Sequence, residues 1–136
     1  MNITVDANIL FAALIREGMT RNLWFAPDVV MFAPDFILTE FDKYRRELKK
    51  KFGGTVEEFD LLCEKILSQV KFVSEQELIP FLPAAASLTN DAKDWLYFAC
   101  ALKENTAIWS NDKEMKKQTR ISVKTTIELI EEVGTL

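Results

Sequence analysis

A three-layer α/β/α sandwich with a mainly parallel central sheet is the fold class this sequence predicts, on three observations. Short runs rich in β-branched and aromatic residues alternate with helical periodicity along the whole chain. The connections between them are short, as α/β units require. A carboxylate also follows a strand-like run twice: Asp6 after Ile3-Thr4-Val5, and Asp112 in the turn Ser110-Asn111-Asp112 after Ala107-Ile108-Trp109. Alternation of this kind implies parallel pairing through right-handed crossovers, and in open α/β sheets ligands bind at the carboxyl ends of the strands.

The elements follow in order. After Asp6, a first helix is predicted from Asn8 to about Ile15, and a second short one through Leu23, Trp24 and Phe25, separated by Gly18 and Thr20. Pro27-Asp28 punctuates before a second strand at Val29-Val30-Met31-Phe32. Pro34-Asp35 opens a long helix that Gly53-Gly54 stops. Its apolar stripe is Phe36, Ile37, Phe41, Tyr44 and Leu48, and Glu40 lies on that stripe, so it is expected to face inward. An inward glutamate needs a partner or a metal.

Thr55-x-x-Glu58 is a capping-box signature, and Val56, Phe59, Leu62, Cys63, Ile66 and Leu67 continue a helix to about Gln69. Lys71-Phe72-Val73 reads as a third strand. Pro80 and Pro83 ahead of Ala84-Ala85-Ala86 suggest a turn and a short helix. The next helix runs from Asn90-Asp91 to Asn105. Its eight consecutive apolar residues, Trp95 to Leu102, predict burial on most sides, with Asp94 directly ahead of them. A short exposed helix over Lys113 to Gln118, a last strand at Ile121-Ser122-Val123 and a final helix capped by Thr125-x-x-Glu128 complete the chain.

Composition narrows the chemistry. With 136 residues, 49% hydrophobic and 11% aromatic, one globular domain spanning residues 1–136 is expected. No apolar run approaches the ~18 residues that span a bilayer, and no basic region precedes an apolar signal core, which predicts a cytoplasmic protein without membrane association. Cys63 and Cys100 fall in helical apolar patterns and read as free buried thiols. The three tryptophans read as core or interface.

The chain has no histidine. Ser-His and Cys-His nucleophile pairs and imidazole metal sites are therefore excluded together, leaving carboxylates for proton transfer or metal binding. Net charge is -4, yet the basic residues cluster. One run is Lys43, Arg45, Arg46, Lys49, Lys50 and Lys51; the other is Lys113, Lys116, Lys117, Arg120 and Lys124. Both follow a candidate site acid, where a polyanionic substrate would need them, although a charge run also serves as a solvated face. Lys43, Arg46 and Lys113 are the candidate substrate contacts.

Asp6 and Asp112 follow strands, whereas Glu40 and Asp94 sit near helix starts, which lie at the same sheet edge in a parallel α/β fold. Packing four carboxylates together is costly through repulsion and lost hydration, and a divalent cation removes that cost. An all-oxygen donor set selects Mg²⁺ or Mn²⁺ and suits metal-assisted attack of water on a phosphodiester. Taken singly, each aspartate has an ordinary alternative in a turn or a helix cap.

The pattern resembles the PIN-domain ribonucleases, including the toxins of bacterial and archaeal toxin-antitoxin pairs. The resemblance covers essentially the whole chain. It is carried by Asp6-x-Asn8, by Glu40 after the second strand, by Asp94 ahead of Ala99-x-Ala101, and by Ser110-x-Asp112 followed by Glu114. It implies that Asp6, Glu40, Asp94 and Asp112 are catalytic and hold Mg²⁺ or Mn²⁺, that Asn8 and Ser110 brace the site, and that Glu114 supports the metal through water. Asp91, three residues before Asp94, is the alternative third ligand; Asp94 fits the family's spacing to the alanines, whereas Trp95 beside it departs from the family's small residue. The resemblance further implies an RNA substrate, an antitoxin partner and a homodimer.

Two rival functions remain at this point. An aspartate phosphoryl-transfer protein would need a second acid beside Asp6, and position 8 is Asn8. A non-catalytic module binding RNA or protein on the same fold would not need the four acids at all.

Overall fold

The computed structural model describes residues 1–134 of the chain, so the last two residues of the predicted 1–136 domain lie outside the described residues. Its five strands are β1 (Asn2–Val5), β2 (Val30–Pro34), β3 (Val70–Val73), β4 (Ala107–Trp109) and β5 (Val123–Lys124). They form one sheet in the order β3-β2-β1-β4-β5, and every pairing is parallel. The predicted three-layer α/β architecture is the one observed. β1 is central: Ile3 is in register with Met31 on one side and Ala107 on the other, and Val5 with Trp109. Its Ile3 and Val5 are fully buried, as a strand covered on both faces requires.

The helices are α1 (Ala7–Ile15), α2 (Met19–Trp24), α3 (Phe36–Phe52), α4 (Val56–Ser68), α5 (Glu75–Leu78), α6 (Leu82–Ala86), α7 (Trp95–Glu104) and α8 (Thr126–Gly134). In one layer α1 packs against α2, α3 and α4, and α2 against α8; in the other α7 lies on β1, β2 and β4 with α5 and α6 beside it. The predicted capping boxes form. Glu58 N–H donates to Thr55 Oγ1 and Thr55 N–H to Glu58 Oε1, both at 3.1 Å, and Thr125 and Glu128 repeat the exchange at the start of α8. A third box, Ser74 with Glu77, starts α5. α3 ends at Gly53, whose φ of 75° is the left-handed cap that glycine takes without strain.

Trp24 and Trp109 are fully buried with ring centroids 5.9 Å apart. Their indole N–H groups donate to Ile66 O and Thr126 Oγ1, each at 2.9 Å, so neither aromatic leaves a polar atom orphaned in the core. Cys63 and Cys100 are buried and free. No described helix is long and apolar enough to cross a membrane.

Three expectations need correction. Tyr44, placed on the inward stripe of α3, is 37% exposed and lies edge-on to the Phe11 ring 5.6 Å away, because it lines an open groove rather than the core. Residues 113–118 make only a 3₁₀ turn, Met115–Lys117, with Met115 buried rather than exposed. The last strand is two residues, shifted toward the C-terminus from the predicted Ile121–Val123, because β4 is itself short and pairs only Ile108 and Trp109 with it.

Candidate active site

The chain runs from β1 outward to β2 and β3, then returns to the other side of β1 to place β4 and β5. The break in direction falls between β1 and β4, and at such a switch point the following loops diverge and leave a crevice at the strands' carboxyl ends. Asp6 leaves β1 there and Ser110 leaves β4. Asp6 N–H donates to Trp109 O at 3.1 Å, so the ladder holds the two turns side by side. Ser110 Oγ donates to Asp6 Oδ2 at 2.8 Å and accepts from Asp112 N–H at 3.0 Å; Asp112 Oδ1 in turn accepts from Glu114 N–H at 2.9 Å. A buried serine thus ties the two strand-end aspartates together.

Asp6 is only 7% exposed. Burial raises its carboxyl above the usual value, against the lowering pull of the Ser110 hydroxyl and the Ala7 amide, and the charges of Glu40 and Asp112 push in the same direction as burial. Asp94, half-buried in a 3₁₀ turn ahead of α7, is pushed up to about 6 by burial and then by the charges of Asp91, Asp6, Asp112 and Glu40. Asp6 and Asp94 thus each feel the charge of Glu40 and Asp112. Asp91 is differently employed: it is exposed, and its Oδ1 caps the 3₁₀ turn by accepting from Lys93 N–H at 3.0 Å. Of the two alternatives, Asp94 is the one turned into the fold. Glu40 projects from α3, and its Oε1 accepts a hydrogen bond from Tyr97 Oη at 2.5 Å.

The PIN-domain family profile matches residues 4–132, taking in the end of β1, all of β2 to β5 and all four acids. The chain belongs to the PIN-domain family. A chain of the crystal structure of VapBC2 from Rickettsia felis, bound to a DNA fragment from its promoter, has the same fold: TM-score 0.71 at 16% identity, covering 92% of this chain and 98% of that one. No curated protein matches in sequence.

Elsewhere in this PIN domain, the predicted supporting residues divide. Asn8 is exposed and lines a groove of about 460 Å³ together with Phe11, Glu40, Lys51 and Lys93, without a hydrogen bond to the site acids among the described residues. Glu114 borders a second recess with Asp91, Asp94 and Lys117, and its carboxylate is paired with Lys117 at 2.8 Å. Lys43, Arg46 and Lys113 are exposed and line neither recess. At about 100° per residue, Arg46 falls on the far side of α3 from Glu40, whereas Lys51 returns to the same face. Lys51 and Lys93 are thus the cations at the groove. Sequence reasoning passed over their direction and over Tyr97, whose signal was a hydroxyl three residues after Asp94 inside an otherwise apolar run.

Among the described residues, no three Asp, Glu or Cys side chains close on a common point as a metal site. Carboxylates without a counter-ion repel and hold themselves apart. The donor chemistry does fit a hard cation. The acids carry only oxygen, and in two of them burial and neighbouring carboxylates disfavour the ionised form, a cost that a divalent charge would offset.

Proposed function

We propose that the chain is a single PIN domain acting as a Mg²⁺- or Mn²⁺-dependent endoribonuclease in the cytoplasm, as the toxin of a toxin-antitoxin pair. The observation that carries this reading is the Ser110 clasp between Asp6 and the Asp112 turn at the β1/β4 switch point, with Asp6 buried and Asp94 half-buried beside the other acids. Perturbed acids gathered in a crevice mark a functional site. Asp6, Glu40, Asp94 and Asp112 would hold the ion, which when bound polarises the phosphodiester and lowers the pKa of the attacking water.

The protein's own groups do the rest. Ser110 fixes the Asp6 carboxylate, and the Asp112 amide fixes Ser110, so the central acid has one orientation before substrate arrives. Lys51 and Lys93, beside Glu40, offer positive charge to the phosphates of an RNA strand lying along the groove. Attack is in line, with no covalent enzyme intermediate. The occurrence of this fold in the VapBC2 assembly supports an antitoxin partner; a homodimer follows from the same reading and is measurable by sedimentation.

A second reading, a non-catalytic RNA- or protein-binding module, draws on the open spacing of the acids. Calorimetric titration with Mn²⁺ and Mg²⁺, paired with RNA cleavage with and without chelator, separates the two. The nuclease reading expects saturable binding and chelator-sensitive cleavage. No binding at millimolar ion, with RNA still retained, would establish the module instead.

A further inference from the structure

Glu40 is the one candidate ligand that reaches the crevice from within a helix, one turn past its start, rather than from a turn. It is half-buried, and the groove beside it holds Asn8, Lys51 and Lys93, any of which offers its carboxylate a solvated alternative. One contact opposes that escape: Tyr97, 2% exposed, donates its hydroxyl to Glu40 Oε1 at 2.5 Å across 57 positions of sequence. The phenol has no other hydrogen-bond partner among the described residues, so losing Glu40 would orphan a buried hydroxyl, which makes the contact persistent. Tyr97 also sits one helical turn after Asp94 on α7, so one helix delivers one acid and the tether of another. Burial and the Glu40, Asp6 and Asp94 carboxylates raise the phenol, which keeps it a neutral donor among acids.

We infer that Tyr97 is the positioning residue for Glu40, its hydroxyl holding that carboxylate in the crevice and leaving the second carboxylate oxygen to face a cation. The inference rests on the metal-dependent reading above. Glu40 is thereby pre-set as a ligand through one oxygen, and the helix carrying Asp94 senses what Glu40 binds.

The chain has two tyrosines, Tyr44 and Tyr97, so uniform 3-fluorotyrosine labelling gives two fluorine resonances, which Tyr44→Phe assigns. Addition of diamagnetic Mg²⁺ is expected to shift the Tyr97 resonance saturably in the wild-type chain and to leave it unmoved in Asp6→Asn. Calorimetry is expected to show Tyr97→Phe weakening Mg²⁺ by about 10-fold or more, the usual cost of removing an outer partner of a ligand. If Tyr97→Phe fails to fold, the wild-type resonance decides alone. Wild-type Mg²⁺ affinity in Tyr97→Phe, or a Tyr97 resonance indifferent to Mg²⁺ that Asp6 demonstrably binds, overturns this inference and spares the metal site. Absence of Mg²⁺ binding by the wild-type chain overturns both.

Discussion

Acids at helix starts are put to opposite uses in two parts of this molecule. At the rim, Glu58, Glu77 and Glu128 sit in exposed capping boxes, where backbone amides and Thr or Ser hydroxyls, and for Glu128 first the Lys116 ammonium, hold their carboxyls below the usual value, Glu128 at about 2. At the crevice, Asp6 and Asp94 occupy the N-cap positions of α1 and α7, yet neither side chain makes a cap hydrogen bond, and both carboxyls are raised. A capping aspartate stabilises a helix by about 1 kcal/mol. The crevice forgoes that gain and accepts repulsion as well, an arrangement that the proposed metal site would explain.

The comparison breaks first at the strand ends. Asp6→Asn or Asp112→Asn should lower Mn²⁺-dependent RNA cleavage by on the order of 10³-fold in single-turnover assays while leaving the circular dichroism spectrum intact. Full activity in either variant would move these aspartates into the structural class. A narrower test separates neighbours: Asp94→Asn should cost roughly 10²-fold in cleavage, whereas Asp91→Asn, altering only an exposed cap, should change it by less than about 2-fold.

The rim predicts the reverse pattern. Thr55→Ala removes one half of the α4 capping box and should lower the thermal midpoint by about 3–5 °C with cleavage unchanged.

The smallest effect is the pH response of the metal-free chain. Asp6 and Asp94 bind protons more tightly folded than unfolded, so their cost is complete above the folded value of about 6 for Asp94 and lifts as pH falls toward 3.8. The rim acids have the opposite sign: their contribution is present above the unfolded value of 4.5 and is lost as pH falls below it, for Glu128 through about 2. The thermal midpoint should therefore rise by roughly 2–4 °C between about pH 7 and pH 5 and fall below that. Asp94→Asn should flatten the rise and leave the acid limb in place.

Much of this was readable beforehand where the deciding interactions are local. The capping boxes at Thr55 and Thr125 and the Gly53 stop each depend on residues within a few positions, and α3, α4 and α8 fell where periodicity put them, whereas α7 starts at Trp95, after a 3₁₀ turn over Ala92–Asp94, rather than at Asn90-Asp91. The strand-end acids were visible because the turn follows the strand directly. What escaped depended on partners far along the chain. The length of β5 is set by β4, the exposure of Tyr44 by the open groove it lines, and the Tyr97–Glu40 bond by two helices on different layers. The basic runs look alike as text. In space Lys116, Lys117 and Lys124 are paired with Glu128, Glu114 and Glu132, while on α3 only Arg45 and Lys51 have acidic partners among the described residues.

The position of β1 has a consequence for the timing of assembly. The earliest strand to be synthesised waits at the middle of the sheet with one flank open until β4, from the last third of the chain, arrives to close it. A growing polypeptide that has emerged only as far as β3 carries Asp6 and Glu40 but neither Asp94 nor the Ser110 clasp. The four acids can come together only near the end of translation, so the crevice cannot be completed on a partial chain.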